Sequence, residues 1–367
     1  MYRGTTAIAL ICASCMLMVN AEPARAGGPP TVDASDEALE RAVVDGLEWL
    51  VEFQEKDGGW AVARWGGKQG EEATVGVTGL SVLALIEASY EARDGAYKDA
   101  ILKGLQFLAS QQAATGEVGA NTGYANGGGY NHGIAGLALV KGYAALKDRR
   151  LAGPAAKAAW FSAARYQHAD GGWRYSPGST GDTSVSGWFI KQLAAAEAAR
   201  LRVDKTWRVR AARFLAGVTE GAPPRFVGGG RGCYQPGREY TATMTASVMG
   251  SWMALGVKPT DPRIRGGSKF LFSNMPKSNT WGGWYYYLCY FGTATLSEAG
   301  GPTWTLWRAR VTRSLCGALG LEAAGATPGG AGAFPVIADG TYGGAAYATA
   351  MGVLTFQMCL EHSSETK

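Results

Sequence analysis

The chain has 367 residues, 47% hydrophobic and 18% charged, with 54 glycines, six cysteines and a formal net charge of +5. So small a charge over this length, with no basic tract, excludes the usual electrostatic footprint of a nucleic-acid binder. Glycine at about twice its usual share of roughly 7%, without low-complexity sequence, points to many turns or tight helix contacts and to a search for repeats.

The first 26 residues read as an export signal. Arg3 gives a positive start, Ala7 to Val19 form an apolar run, and Ala24-Arg25-Ala26 fits a small-x-small cleavage site. A membrane-spanning helix needs about 20 apolar residues, and this run is shorter. Cleavage near Ala26 puts the mature chain, from Gly27, in the periplasm or outside the cell with no transmembrane segment. Cys15 after Ala13 and Ser14 offers a lipoprotein reading instead, the weaker one because Cys12 stands where that signal wants a bulky aliphatic residue. Removal of the leader leaves 33 basic and 29 acidic side chains, a formal +4, and four cysteines: Cys233, Cys289, Cys316 and Cys359. They are scattered with no CxxC spacing, so neither a metal site nor a dense disulfide framework is indicated. One or two bridges and buried free thiols both remain open.

After a short linker (27–35) the chain repeats one unit six times, by length enough for two domains. Each unit is an amphipathic segment, a glycine-rich turn and an apolar segment. The first starts with "EALERAVVDGLEWLVEFQ", where Leu39, Val43, Leu47 and Leu50 share one helical stripe. It turns at "DGGW" (57–60) and continues as "ATVGVTGLSVLALIEA". In the second, "YKDAILKGLQFLASQQ" carries Ile101, Leu105 and Leu108, followed by "NGGGY" (126–130) and "NHGIAGLALVKGYAAL". The third runs from 153–168 through "DGGW" (170–173) to "DTSVSGWFIKQLAAAEA". The fourth pairs 204–218 with "VGGGRGCY" (227–234) and "EYTATMTASVMGSWMAL". The fifth pairs 261–275 with "TWGGWYYY" (280–287) and "YYYLCYFGTATLSEA". The sixth pairs 303–320 with "GTYGGAAY" (340–347) and "AAYATAMGVLTFQMCL". Two of the amphipathic segments open on "GP" or "DP", with proline suited to a first helical turn.

The second segment of each unit is apolar on nearly every side, which marks a buried helix. Glycine inside such helices costs up to about 1 kcal/mol against alanine, so Gly76, Gly79, Gly133, Gly136, Gly187, Gly250, Gly292 and Gly352 require a packing reason. Crowding on a small inner radius supplies one. Six half-wet and six buried helices make an all-α fold, an α6/α6 toroid in one domain over 36–361, with 362–367 as a tail. The turn glycines stop the outer helices in the left-handed conformation. The aromatics that follow (Trp60, Tyr130, Trp173, Trp284, Tyr342) are expected to wedge between helices.

"QEKDGGWAV", "QHADGGWRYSPGSTGDTSVSGW" and "WGGWYYYLCYFGTATL" resemble the prenyltransferase and squalene-oxidase repeat, which builds squalene–hopene and oxidosqualene cyclases and the β subunits of protein prenyltransferases. The resemblance spans about 36–360 and implies the terpenoid-cyclase-like toroid. It does not imply one chemistry, since complement and α2-macroglobulin thioester domains and some polysaccharide lyases share that fold. The tail "DGTYGGAAYATAMGVLTFQM" is similar to the last repeat of exported bacterial proteins of unassigned activity.

Each chemistry in that group needs a motif. Hopene-type cyclases protonate an alkene with the middle Asp of DxDD. Here the match is Gly181-Asp182-Thr183-Ser184, with Asp182 at the last acidic position and Gly181 at the donor's. Prenyltransferases hold zinc with Asp-x-Cys and a distant His; no Asp-x-Cys occurs, and Tyr347 lies near the place of the His. Thioester domains need Cys-Gly-Glu-Gln, whereas Cys233 and Gln235 have the wrong spacing. No cofactor and no metal are implied.

The candidates that remain are few. Asp182 is read first as a cap on its helix, as are Thr74, Asn131 and Thr241 at matching starts, with acid chemistry as the alternative. His132 stands on a buried helix and offers a nitrogen for a ligand or a proton. Arg238 and Glu239, before the fourth buried helix, form a salt bridge or grip a polar ligand head. Trp281, Trp284, Tyr285, Tyr286, Tyr287, Tyr124, Tyr130, Trp173, Tyr175 and Tyr234 surround one end, and two or three of these rings are expected to face a cavity. The leading reading is an exported, noncatalytic binder of a hydrophobic, glycan or peptide ligand, held by Trp173, Tyr175, Tyr130, Trp284, Tyr285, Arg238 and Glu239. The alternatives are a cyclase-like or lyase-type enzyme using Asp182, His132 or Tyr286 for proton transfer, and a structural envelope component. An enzyme would bring Asp182, His132 and a tyrosine together in an enclosed pocket, a binder would show an aromatic cavity without that convergence, and a scaffold would have a plugged hub. Neither the ligand nor the oligomeric state is named by the sequence.

Overall fold

A computed structural model describes residues 32–88, 95–123, 127–221, 229–276, 282–322 and 329–363. The leader, most of the linker, Tyr124, Trp281 and residues 364–367 lie outside the described residues. Among the described residues there are twelve α-helices: α1 (Asp36–Glu52), α2 (Thr74–Ala88), α3 (Lys98–Ser110), α4 (Gly128–Leu146), α5 (Arg149–Phe161), α6 (Thr183–Ala198), α7 (Thr206–Val218), α8 (Ala242–Ala254), α9 (Pro262–Ser273), α10 (Tyr285–Ala299), α11 (Gly301–Glu322) and α12 (Gly340–Glu361). Two-residue strands, Gly232–Cys233 and Tyr240–Thr241, pair antiparallel as a hairpin before α8.

The even-numbered helices pack side by side in the order α2, α4, α6, α8, α10, α12, and α12 returns to α2, so the inner ring is closed. Each odd-numbered helix lies outside, against the inner helices. The fold is therefore the α6/α6 toroid read from the repeat. Burial follows the two sequence patterns. From Val75 to Ile86 every residue of α2 is buried, whereas α1 buries one stripe that includes Leu39, Val43, Leu47 and Leu50. None of the described helices is long and apolar enough to cross a membrane. Cys233, Cys289 and Cys359 are buried free thiols and Cys316 is partly exposed.

The inner-helix glycines have the expected packing role. A side chain at Gly136 would enter the Gln192 amide, at Gly292 the Trp307 ring, and at Gly352 the Phe334 ring. In the third turn Gly171 takes a φ of +99°, open to glycine at no steric cost, and its α-carbon lies against the backbone carbonyl of Arg210 on the next outer helix.

The wedge reading holds for Trp60 and Trp173, each fully buried with its indole N–H donated to a helix carbonyl, of Leu50 and of Ser162. It fails for Trp284 and Tyr342, which are 55% and 44% exposed. Trp173 precedes its inner helix by ten residues and is tied back by a bridge to Asp182. Trp284 is the N-cap residue of α10, and Tyr342 stands in the first turn of α12, so their rings stand over the helix ends. The shared capping task also holds only in part. Asp182 caps α6 and Thr241 caps α8 through their own side chains. Asn131 does not cap α4, which begins three residues earlier; its Oδ1 instead accepts from Gly76 N in α2 at 2.9 Å. Thr74 starts α2 with its hydroxyl turned to Glu71 and Val62 N.

Candidate functional site

All six inner helices begin at the same end of the ring, and their first turns surround an open cavity of about 490 Å³. That falls within the range of about 300–1,000 Å³ usual for small-molecule sites. The hub is not plugged.

Local pairing places one wall. Gly129 N, at the start of α4, donates to Tyr175 O at 2.8 Å, and Thr183 N donates to Tyr234 O at 2.9 Å. Thr183 Oγ1 donates to Cys233 O at 2.6 Å. These bonds hold Arg174, Tyr175 and Tyr234 over the first turn of α6. The Arg174 guanidinium stacks over the Tyr175 ring at 5.0 Å and over the Tyr234 ring at 6.0 Å. Its Nε lies 3.5 Å from Asp182 Oδ2, an ion pair too long for a hydrogen bond.

Asp182 is fully buried behind this wall. Its Oδ1 accepts from Val185 N at 2.8 Å and its Oδ2 from the Tyr234 hydroxyl at 3.1 Å. Burial pushes its pKa up to about 6, against the opposing pull of Val185 N–H, Tyr234 and Arg174. Since Tyr234 spends its one proton on Asp182, its 2.7 Å partner Tyr175 must be the donor of their shared bond.

A second buried carboxylate stands at the start of the last inner helix, in the cavity lining. Asp339, 1% exposed, accepts from Tyr286 N at 2.8 Å through Oδ1, and from Tyr287 N at 3.0 Å and the Tyr347 hydroxyl at 2.8 Å through Oδ2. It therefore satisfies the bare first turn of α10 from another helix's threshold. Burial holds its pKa above the ordinary carboxylate value despite those three donors. Tyr287 in turn donates to Ser184 O at 2.8 Å, and Tyr130 shares a 2.6 Å bond with Ser184 Oγ. Burial, then neighbouring negative charge, raises the phenol pKa of Tyr234 and Tyr347, so both stay protonated at neutral pH.

The floor is Trp188, one helical turn below Ser184, stacked on Tyr290 at 5.4 Å. Its indole N–H is buried without a hydrogen-bond partner; the neighbouring Tyr287 phenol feels it weakly, outside hydrogen-bond geometry. The mouth carries Trp284 and Tyr342, stacked at 5.5 Å with an interplanar angle of 22°.

Of the sequence candidates, Tyr130, Tyr175 and Trp284 line the cavity, as do Tyr234 and Tyr287 from the wider aromatic set. Five rings of that set thus face it, more than the two or three expected. Trp173 does not: it is a fully buried wedge stacked on Phe189. Tyr285 bonds Ser314 Oγ at 2.8 Å in the packing layer, and the Tyr286 hydroxyl donates to Pro335 O at 2.7 Å. Arg238 and Glu239 sit on the exposed hairpin turn outside the cavity lining, with no ion pair to either among the described residues. His132 is buried among Tyr166, Phe161 and Phe189. Its Nδ1 accepts from Val118 N at 2.9 Å, and its Nε2 is 2.8 Å from Ser162 Oγ, which donates to Gln192 Oε1 at 2.7 Å. The ring is therefore the neutral Nε2–H tautomer, and burial drives its pKa down to about 3. His132 and Tyr286 do not converge with Asp182 on the cavity.

Asp339, Tyr347, Arg174 and Trp188 were missed as site residues. An acidic residue just before an inner helix was a signal available for Asp339, since "DGTYGG" repeats the placement of Asp182. Gly181, at the proton donor's place in the cyclase resemblance, packs into the turn: a Cβ there would meet Gly172 Cα at 2.6 Å. Among the described residues no three His, Cys, Asp or Glu side chains group as metal ligands.

No protein-family profile and no curated protein sequence matches the chain. Solved structures do match its fold. An inactive variant of an α-1,6-mannanase, GH76A of Salegentibacter sp. HEL1_6, in complex with α-1,6-mannotriose, superposes with a TM-score of 0.60 at 11% identity, covering 88% of this chain and 99% of that one. The type II terpene cyclase MstE from Scytonema, as a variant holding geranylgeranyl dihydroxybenzoate, gives a TM-score of 0.56 at 15% identity, covering 89% and 98%. The same cyclase without ligand gives 0.55, again at 15% identity, covering 89% and 99%. The chain shares the terpenoid-cyclase-like α/α toroid with these proteins.

Proposed function

We propose that the chain is an exported, noncatalytic protein that binds a small amphipathic ligand in the tyrosine-lined cavity. The observation that carries this reading is where the protons point. A general acid must aim a proton at its substrate. Asp182 and Asp339 are both turned toward protein donors, whose bonds fill two and three, respectively, of the roughly four lone-pair sites of a carboxylate. Tyr175, Tyr234, Tyr287 and Tyr347 each spend their single proton inside the protein. On this reading the wall holds and orients a guest, and none of these six groups is an acid placed to attack it. An open hub speaks against a purely structural envelope part. The mannotriose and geranylgeranyl dihydroxybenzoate held by the two structural neighbours are a glycan and a largely apolar molecule, and both kinds belong to this reading.

Export rests on the leader pattern, and N-terminal sequencing of protein from its own host should start at Gly27. Native mass spectrometry of that protein should show one co-bound ligand. After extraction and incubation with fresh protein, the compound should be recovered unchanged. Recovery of a chemically altered compound would replace the binder with an enzyme.

A further inference from the structure

The direction of the phenol protons also selects a ligand class. Because four cavity phenols donate inward, they offer the cavity no proton, and the oxygens of Tyr175, Tyr287 and Tyr347 offer it lone pairs, while that of Tyr234 already accepts from Tyr175. Two buried donors of the lining lack a hydrogen-bond partner of good geometry, the indole N–H of Trp188 on the floor and the Nε–H of Arg174, whose charge is set against Asp182. The wall is thus rich in acceptors, carries two such donors and is faced with aromatic rings.

Three guest classes meet this wall differently. A hydrocarbon would expel the water that otherwise satisfies these oxygens and leave several polar atoms unpaired, at about 1–3 kcal/mol each. A cation would seek an unspent negative charge. Here Asp182 is offset by Arg174 and the first turn of α6, and Asp339 by the first turn of α10. A neutral polyol supplies many hydroxyl donors, can accept from Trp188, and in ring form presents flat C–H faces to aromatic rings. The mouth adds a second feature of the same kind, since Trp284 and Tyr342 form a stacked and half-exposed aromatic platform where a chain leaving the cavity would pass.

We infer that the ligand is a neutral carbohydrate, its terminal sugar seated among the inward-donating phenols and its next unit stacked on the Trp284–Tyr342 platform. This rests on the binding reading above. The test uses the full mature chain on an array of neutral hexose oligosaccharides, followed by calorimetry with the best trisaccharide and its monosaccharide. The trisaccharide should bind at least tenfold more tightly than the monosaccharide. Trp284→Ala should weaken the trisaccharide about tenfold, the equivalent of about 1.4 kcal/mol of stacking, and the monosaccharide by clearly less. Tyr347→Phe, which keeps the ring and loses the oxygen, should weaken both. Circular dichroism checks that each variant is folded, and Tyr342→Ala replaces Trp284→Ala if that variant is not. Failure of every array saccharide, or equal loss of both ligands in the platform variants, overturns the inference. Binding of geranylgeraniol instead would leave the binding reading standing with a hydrophobic guest. Cleavage of the trisaccharide would sink the noncatalytic reading and leave the ligand class in place.

Discussion

Replacing Asp182 by asparagine separates the two forces that act on this carboxyl. Burial raises its pKa from an ordinary 3.8 to about 6, while Val185 N–H, Tyr234 and Arg174 pull the other way and lose. A rise of about two units corresponds to about 3 kcal/mol of differential interaction between the protonated and ionised forms. The sign follows from proton counting. Between pH 4 and pH 6 the folded chain keeps a proton on Asp182 that the unfolded chain has released, so this group's contribution to stability falls as pH rises through that window. Above pH 6 the fold carries the full cost of an ionised, desolvated carboxylate. Asparagine has the same shape, caps a helix about as well and does not titrate. The difference in unfolding free energy, Asp182→Asn variant minus wild type, should therefore shift in the variant's favour by about 2–3 kcal/mol between pH 4 and pH 7.5. With a urea slope of about 3 kcal/mol per molar, that is close to 1 M in midpoint, read by tryptophan fluorescence. Other titrating groups cancel in the difference when they are independent of the site. An unchanged difference across the range, or a shift toward the wild type, would refute the claim that burial outweighs the donors.

His132 should show the opposite sign. Its folded pKa of about 3 lies below the ordinary 6.5, so its contribution is present above pH 6.5 and is lost as pH falls toward 3. Long-range nitrogen–proton correlation spectra should show a protonated Nε2, a bare Nδ1 and no titration down to pH 4. Asp339→Ala strands two backbone N–H groups and the Tyr347 hydroxyl. It should cost about 2–4 kcal/mol in urea unfolding, whereas Tyr347→Phe should cost about 1 kcal/mol; equal costs would mean the backbone bonds carry nothing. Gly292→Ala drives a methyl into Trp307 and should destabilise by about 1–3 kcal/mol despite better helix propensity. Gly320→Ala, on α11 with open space around it, should stabilise by up to about 1 kcal/mol, and the two melting temperatures should move in opposite directions.

The ring was legible because two periodicities alternate without a break. Leu39, Val43, Leu47 and Leu50 mark a half-wet helix, while "ATVGVTGLSVLALIEA" shows no polar face, and six such pairs leave little but a closed double layer. Glycines such as Gly136 and Gly292 were readable as contacts because their propensity cost demands one. The cavity was harder to read. Tyr285, Tyr286 and Tyr287 are identical in sequence, yet successive helical residues point about 100° apart, so one reaches Ser314, one Pro335 and one the cavity. Asn131 looks like a cap and is one, but for a helix 55 residues earlier. Periodicity carries no information about which helix end borrows which acceptor.

That borrowing bears on how acids at the hub of a toroid should be interpreted. Each helix start leaves up to about four backbone N–H groups without partners, and here six starts meet around one cavity. Buried donors of that kind must be satisfied, and the hub does so with side-chain acceptors: Asp182 and Thr241 for their own helices, Asn131 for α2, Asp339 for α10. Buried side-chain acceptors at this end, carboxylates among them, thus have a structural task before any reaction is considered. Chemistry needs an additional carboxyl whose lone pairs and proton are left free. In this chain the place where the cyclase resemblance would put it is Gly181, whose N–H is donated to Asp170 Oδ2 at 2.8 Å and whose Cβ position is filled by the Gly172 backbone. The turn is closed there by backbone against backbone, so the missing acid is not one substitution away. Beside it, the bonds from Gly129 N and Thr183 hold Arg174, Tyr175 and Tyr234 over the cavity, the wall on which the proposed binding depends.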